Sequence, residues 1–184
     1  MKITETKLKG CFLIEPLVFE DARGYFFESY HQDKFLQNTG INMTFVQDNE
    51  SKSKYGVVRG LHMQRGDFAQ AKLVRTLKGS ILDVAVDVRK DSPTFGQHFS
   101  IELNEDNKKQ LFIPAGFLHG FSVLSEKAVV YYKCNAVYDK SSEDGVNPLD
   151  AELNIDWKIP AEKMILSEKD QQAQYFSELT PFEL

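Results

Sequence analysis

The stretch VVRGLHMQRGDFAQAKLVRTLKG, residues 57–79, sets one imidazole, His62, among the cations Arg59, Arg65, Lys72 and Arg75. A second histidine, His119, stands in IPAGFLHGF. Histidine titrates near neutral pH, so His62 has three readings: a metal ligand, a catalytic base or a hydrogen-bonded strand residue. A catalytic metal commonly takes three protein ligands. Here the alternate strand position after His62 is Gln64, no glutamate follows, and Lys72 adds an ammonium that repels a divalent ion. Two histidines without a carboxylate make a poor cation site, so no metal is expected. A base and an ordinary strand residue stay open.

The elements that must hold these residues are mostly strands. Between residues 43 and 139 the runs MTFVQ, VVRGLHMQ, KLVRTL, SILDVAVDV, HFSIEL, QLFIP, GFSVLS and AVVYYKCNAVY follow one another at the spacing of a sandwich or barrel. In ILDVAVDV, Leu82, Val84, Val86 and Val88 alternate with Asp83, Ala85 and Asp87, a period of two. LKGS, DSPTFG and NEDN supply turn residues. Helix is expected only at the flanks: HQDKFLQNTG ends on Gly40 as a C-cap, and SEKDQQAQYF begins at Ser167. No repeat, linker or low-complexity stretch divides the chain, and residues 1–184 are expected to form one domain.

Twenty-two basic residues against 27 acidic ones give a net charge of −5, which argues against non-specific binding to nucleic acid or anionic membrane. Local basic clusters still suit an anionic small molecule. Cys11 and Cys134 are the two cysteines and have no paired metal-ligand spacing. The opening MKITETKLKG lacks the apolar segment of a signal peptide, and no apolar run approaches the roughly 18 residues of a membrane span. A reduced, cytoplasmic, soluble chain is expected.

The segment from Gly56 through His62 to Gly79, and IPAGFLHGF with Pro114, Gly116 and His119, resemble the paired motifs of the cupin superfamily, jelly-roll β-barrels of the double-stranded β-helix type. More specifically, FEDARGYFFESY, FVQDNESKSKYGVVRGLHMQ, QAKLVRTLKGSILDVAVDVRKDSPTFG, LFIPAGFLHGFSVLSEKAVVYYK and LSEKD resemble the dTDP-4-dehydrorhamnose 3,5-epimerase family, in its order, from Phe19 to Asp170. The resemblance implies a cupin-type jelly-roll barrel with short flanking helices and a cofactor-free enzyme acting on dTDP-4-dehydro-6-deoxy-D-glucose. It implies His62 as base and Tyr132 as acid. A C4 ketone acidifies the protons at C3 and C5, and inversion needs removal on one face and return on the other. Lys72 would then meet the negative charge that builds on the C4 oxygen.

Asp170 matches the aspartate that pairs with the catalytic histidine, yet SEKD also reads as a capping box opened by Ser167. Arg23 and Arg59 match positions that hold the diphosphate, for which arginine supplies paired donors. Glu28, Gln47, Asn49, His119, Glu143 and Lys169 match further substrate contacts. Tyr138 shares strand parity with Tyr132 and would either stack on thymine or pack in the core. Arg59 and His62 are three residues apart, so a regular strand turns them to opposite faces unless Gly60 bulges. The family is dimeric, which implies a homodimer in which Arg23 and Glu28 contribute across the interface. The alternatives are epimerisation at C3 only, 3,4-ketoisomerisation of the same nucleotide sugar, a metal-dependent cupin enzyme, or a non-catalytic sugar-binding cupin.

Overall fold

The computed structural model describes residues 1–183. The described residues form thirteen strands: β1 Lys2–Glu5, β2 Phe12–Glu15, β3 Val18–Asp21, β4 Gly24–Phe27, β5 Gln47–Lys54, β6 Val58–Gln64, β7 Lys72–Lys78, β8 Ser80–Asp87, β9 His98–Asn104, β10 Gln110–Ile113, β11 Phe117–Val123, β12 Lys127–Cys134 and β13 Glu143–Gly145. One antiparallel sheet has the order β1-β2-β10-β7-β12-β5 and a second the order β13-β6-β11-β8-β9, while β3 and β4 form a separate hairpin. The two larger sheets face one another as a jelly-roll barrel, the cupin-type architecture the motifs imply.

Side-chain parity divides the apolar residues into three bodies. Between the sheets lie Val74, Ile81, Ala85, Leu111, Ile113, Phe117, Phe121 and Val130. The opposite parity of the same strands faces outward. Leu82, Val84 and Val86 pack with Trp157, Phe176, Leu179 and Phe182 under the C-terminal segment. Leu73 and Phe112 pack with Phe12 and Phe35 under α1, Gln32–Thr39. The alternation read in ILDVAVDV is therefore correct, but both faces of β8 are buried. Buried Asp87 then serves the turn that follows, bonding Arg89, Ser92 and Thr94 at 2.5–2.9 Å.

Helix α1 ends as expected on Gly40, at φ 73°, with its N–H on the Leu36 carbonyl. Three other expectations need correction. Residues 43–46 of MTFVQ are not strand; Phe45 packs edge-on against Tyr30, and pairing starts at Gln47. The run AVVYYKCNAVY leaves the sheet after Cys134, because Asn135 and Ala136 accept from Ala71 N–H and Gln70. The helix begun at Ser167 stops after one turn, as α2, Glu168–Gln171. Beyond it Asn147 bonds the Gln171 and Gln174 carbonyls and Asp150 takes the Phe176 N–H, which draws Phe176 into the outer core.

Candidate active site

The side chains that could do chemistry sit on the inward parity of five strands. On β12, Val130 belongs to the interior, so Tyr132 does too; on β7, Val74 fixes the same parity for Lys72. On β11 and β8, Phe117 and Phe121 bracket His119, and Ile81 and Ala85 bracket Asp83. On β6, Val58, Leu61 and Met63 all face the outer core, an arrangement no regular strand gives with a spacing of three. The register supplies the reason: Phe121 pairs with Arg59 but His119 pairs with His62, so β6 carries one extra residue. Gly60, at φ 130°, takes the irregularity, and a Cβ there would come within 2.6 Å of the Gly120 Cα. The bulge gives Arg59 and His62 a common face, and both border one cavity.

That cavity, of about 420 Å3, is bordered by Arg59, His62, Lys72, His119, Tyr132, Lys169 and Asp170, among others. A smaller one, of about 130 Å3, shares His62, Lys72 and Tyr132 and is completed by Gln47, Asn49, Gln64, Gln70, Tyr138 and Glu143. His62 and Tyr132 belong to opposite sheets and so meet the space between them from opposite walls. Among the described residues no three of His, Cys, Asp and Glu come together as a metal-binding group.

Asp170 is buried, and its Oδ1 lies 2.6 Å from His62 Nε2. The Ser167 hydroxyl accepts from the Asp170 backbone N–H at 3.1 Å. The Ser167 cap of SEKD is formed, but Asp170 does not close a capping box: its backbone N–H is capped and its carboxylate serves the imidazole. Burial pushes the Asp170 carboxyl up, but the His62 hydrogen bond and charge, with Ser167 and the Gly60 N–H, outweigh it and hold the group below its usual range. An ionised carboxylate only accepts, so the His62 proton belongs on Nε2 and Nδ1 keeps its lone pair. Burial pushes the Tyr132 phenol up, so it holds its proton at neutral pH. Burial pulls Lys72 down, against the opposing pull of Cys134, Asp83 and Glu143.

The other expected contacts divide. Gln47 donates to Asn49 and accepts the Tyr138 N–H. Glu143 joins the Tyr138 hydroxyl at 3.1 Å and Lys169 at 2.5 Å, forming one polar rim. Tyr138 lies beyond β12 and is 51% exposed, which corrects both its shared parity with Tyr132 and the core-packing reading. Arg23 and Glu28 are not brought to the cavity: Arg23 pairs with Asp21 beside the β3–β4 hairpin, and Glu28 with Lys34.

Sequence reasoning missed Asp83, which is fully buried with Oδ1 2.7 Å from His119 Nε2. Its signal was a carboxylate alternating into an otherwise apolar strand. It also missed Ser53, whose hydroxyl accepts from Arg59 Nε at 3.0 Å, and Ser51, which borders the larger cavity. Both share the parity of Gln47 and Asn49 along β5.

Fold and site together define a jelly-roll barrel of the cupin type whose interior is equipped for proton transfer. The model of the dTDP-4-dehydrorhamnose 3,5-epimerase family matches residues 5–178, and the chain belongs to that family. It is 47% identical over 176 residues to the dTDP-4-dehydrorhamnose 3,5-epimerase of Shigella flexneri, covering 96% of each chain. The crystal structure of the dTDP-4-dehydrorhamnose 3,5-epimerase from Elizabethkingia anophelis superimposes with a TM-score of 0.94 at 57% identity, covering 97% of both chains. That of a dTDP-6-deoxy-D-glucose-3,5-epimerase from Legionella pneumophila, in complex with dTDP-4-keto-L-rhamnose, gives 0.93 at 44% identity, covering 97% of this chain and 94% of the other.

Proposed function

We propose that the chain is a dTDP-4-dehydrorhamnose 3,5-epimerase, converting dTDP-4-dehydro-6-deoxy-D-glucose to dTDP-4-dehydro-L-rhamnose by inversion at C3 and C5. The observation that carries this reading is the pairing of His62 Nε2 with buried Asp170 on one wall, opposite Tyr132 and Lys72 on the other. His62 Nδ1 removes the proton beside the ketone, and Asp170 stabilises the imidazolium so formed. The electron pair moves into the carbonyl, and the Lys72 ammonium meets the charge on the C4 oxygen. Tyr132 returns a proton to the opposite face of the carbon. The same cycle at the second carbon completes the reaction, with both groups reset by exchange with solvent. No resident cofactor is invoked.

Arg59, aligned by Ser53, holds the diphosphate; His119, held by Asp83, Lys169 and the Gln47–Asn49 pair complete the substrate contacts, and the exposed ring of Tyr138 stacks on thymine above Glu143. The assembly proposed is a homodimer. Its support is the β3–β4 hairpin, which leaves Phe19, Tyr25 and Phe26 more than half exposed beside Arg23. In the dimer Arg23 and Glu28 reach the partner's substrate. The cytoplasm is the proposed compartment, in keeping with two buried, free cysteines.

The test is proton exchange. Protein incubated with dTDP-4-dehydro-6-deoxy-D-glucose in heavy water should place deuterium at both C3 and C5, read by NMR. Label at C3 alone would reduce the activity to 3-epimerisation, and label at neither carbon would overturn the proposal.

A further inference from the structure

Gln64 follows His62 by two residues on β6, and both border the smaller cavity. It is 4% exposed. Its Oε1 accepts the Asp139 backbone N–H at 2.7 Å, which fixes the orientation of the amide, since only the oxygen can accept. Nε2 is thereby left as a committed donor, and it is fully buried with no partner among the described residues. A buried donor without an acceptor loses its hydration and gains nothing in return.

The other polar groups of this cavity define what is missing. The Gln47 oxygen and nitrogen are both engaged, as is Asn49. Gln70 donates to the Ala136 carbonyl, His62 is bonded to Asp170, and Glu143 is occupied by Tyr138 and Lys169. The unengaged donors are Gln64 Nε2, the Lys72 ammonium and the Tyr132 hydroxyl; His62 Nδ1 and the Gln70 oxygen are left as acceptors among the described residues. A space of about 130 Å3 bordered by both the Gln64 amide and the Lys72 ammonium, with His62 Nδ1 left as the base, suits an electron-rich oxygen beside the carbon that loses its proton.

We infer that Gln64 is a catalytic residue of the site, whose Nε2 donates, beside Lys72, to the substrate oxygen that becomes the enolate. The inference rests on the proposed epimerisation. Gln64 stands on the His62 wall and Lys72 on the Tyr132 wall, so the oxygen is held from both sides while protons move at the neighbouring carbons. A neutral amide supports the developing charge without competing with Lys72 for it.

Two substitutions separate this role from anchoring the Asp139 turn. Gln64→Glu keeps an acceptor for the Asp139 N–H and removes the amide donor. Gln64→Leu removes both. Steady-state exchange at C3 and C5 is measured for each, with dTDP affinity measured by calorimetry. Both variants should lose about 100-fold in kcat, the scale of one oxyanion donor, and keep the dTDP affinity of the unsubstituted protein within about threefold. Full activity in Gln64→Glu would assign Gln64 to the turn alone and overturn the inference, and so would a loss confined to KM or dTDP affinity. Should Gln64→Leu fail to fold, Gln64→Glu decides by itself. Absence of exchange in the unsubstituted protein would overturn the proposed reaction and this inference with it, whereas exchange there and full kcat in the variants would overturn the inference alone.

Discussion

Asp170 is held at once through its backbone by Ser167 and through its carboxylate by His62, so substitutions at these two positions of one helical turn should give separable results. Asp170→Asn leaves the capped N–H in place and removes the charge 2.6 Å from His62 Nε2. At an effective dielectric of about 20 that contact is worth about 6 kcal/mol to an imidazolium. The His62 side chain is one-third exposed, and solvent screens the pair, so about half of this, roughly 3–4 kcal/mol, is the realistic share. That corresponds to roughly a 100- to 1,000-fold loss in the rate of proton removal. An asparagine amide can also donate to Nε2, which would drive the His62 proton onto the nitrogen that must act as base.

Ser167→Ala removes only the cap. It should cost about 1 kcal/mol of stability, or about 2–4 °C in Tm for a chain of this size, and leave exchange intact. Deuterium uptake at C3 and C5 measured alongside thermal unfolding distinguishes the two effects. If Asp170→Asn exchanged at the normal rate and shared the Tm loss of Ser167→Ala, the carboxylate would be a helix-capping group and the proton-transfer argument would fail.

Tyr132→Phe keeps the ring and removes the donor; deprotonation by His62 persists while inversion falls, so NMR should show exchange outrunning epimerisation by tenfold or more, and an equal loss of both would contradict the two-wall assignment. Arg59→Ala should weaken dTDP binding with little change in kcat, and Ser53→Ala should weaken it less, since Ser53 acts only by aligning the guanidinium; calorimetry reads both, and a change confined to kcat would contradict the diphosphate role. Lys72 has its ammonium disfavoured by burial, so the folded protein binds fewer protons there than the unfolded chain, and stability from this group rises as pH climbs through the depressed value. Activity should fall over the same interval, below the ordinary lysine range of about 10.4, because the charged form is the one needed. Lys72→Met should therefore abolish turnover while raising Tm by about 3–6 °C, as removal of a buried charge does; an unchanged or lowered Tm would refute the stability argument.

The residues legible in sequence were those whose type departs from what their element needs. His62 and Lys72 are polar groups on strands with apolar neighbours, and Asp83 carried the same signal unread. Strand β5 was illegible for the opposite reason. QDNESKSK has no apolar alternation, because its inward side chains, Gln47, Asn49, Ser51 and Ser53, face the site and the others face outward. Its strand character comes from eight paired positions along β12, a tertiary fact that local pattern does not carry. Strands β1 to β4 have four residues each, too short for a period of two to stand out. The bulge at Gly60 was inferred from a conflict between parity and function, and the register of β6 against β11 gives its physical form.

A barrel that keeps polar groups between its sheets must find its stability elsewhere, and the partition of apolar residues shows where. The interior apolar body fills only part of the space between the sheets. Two further bodies cover the outer faces: one under Trp157, Phe176, Leu179 and Phe182, the other under Phe35 of α1. Each large sheet is thus secured from outside as well as inside, and the central strands β8, β10 and β11 bury both parities. Buried apolar area stabilises a fold wherever it lies. With the outer faces covered, inward positions on β5, β6, β7, β11 and β12 are free to hold amides, imidazoles, a lysine and a phenol. The same segment that covers the five-stranded sheet carries α2 to the mouth of the barrel and sets Asp170 against His62. Outer packing and the charge pair are therefore coupled: loosening the C-terminal cover should disturb the base before it unfolds the barrel.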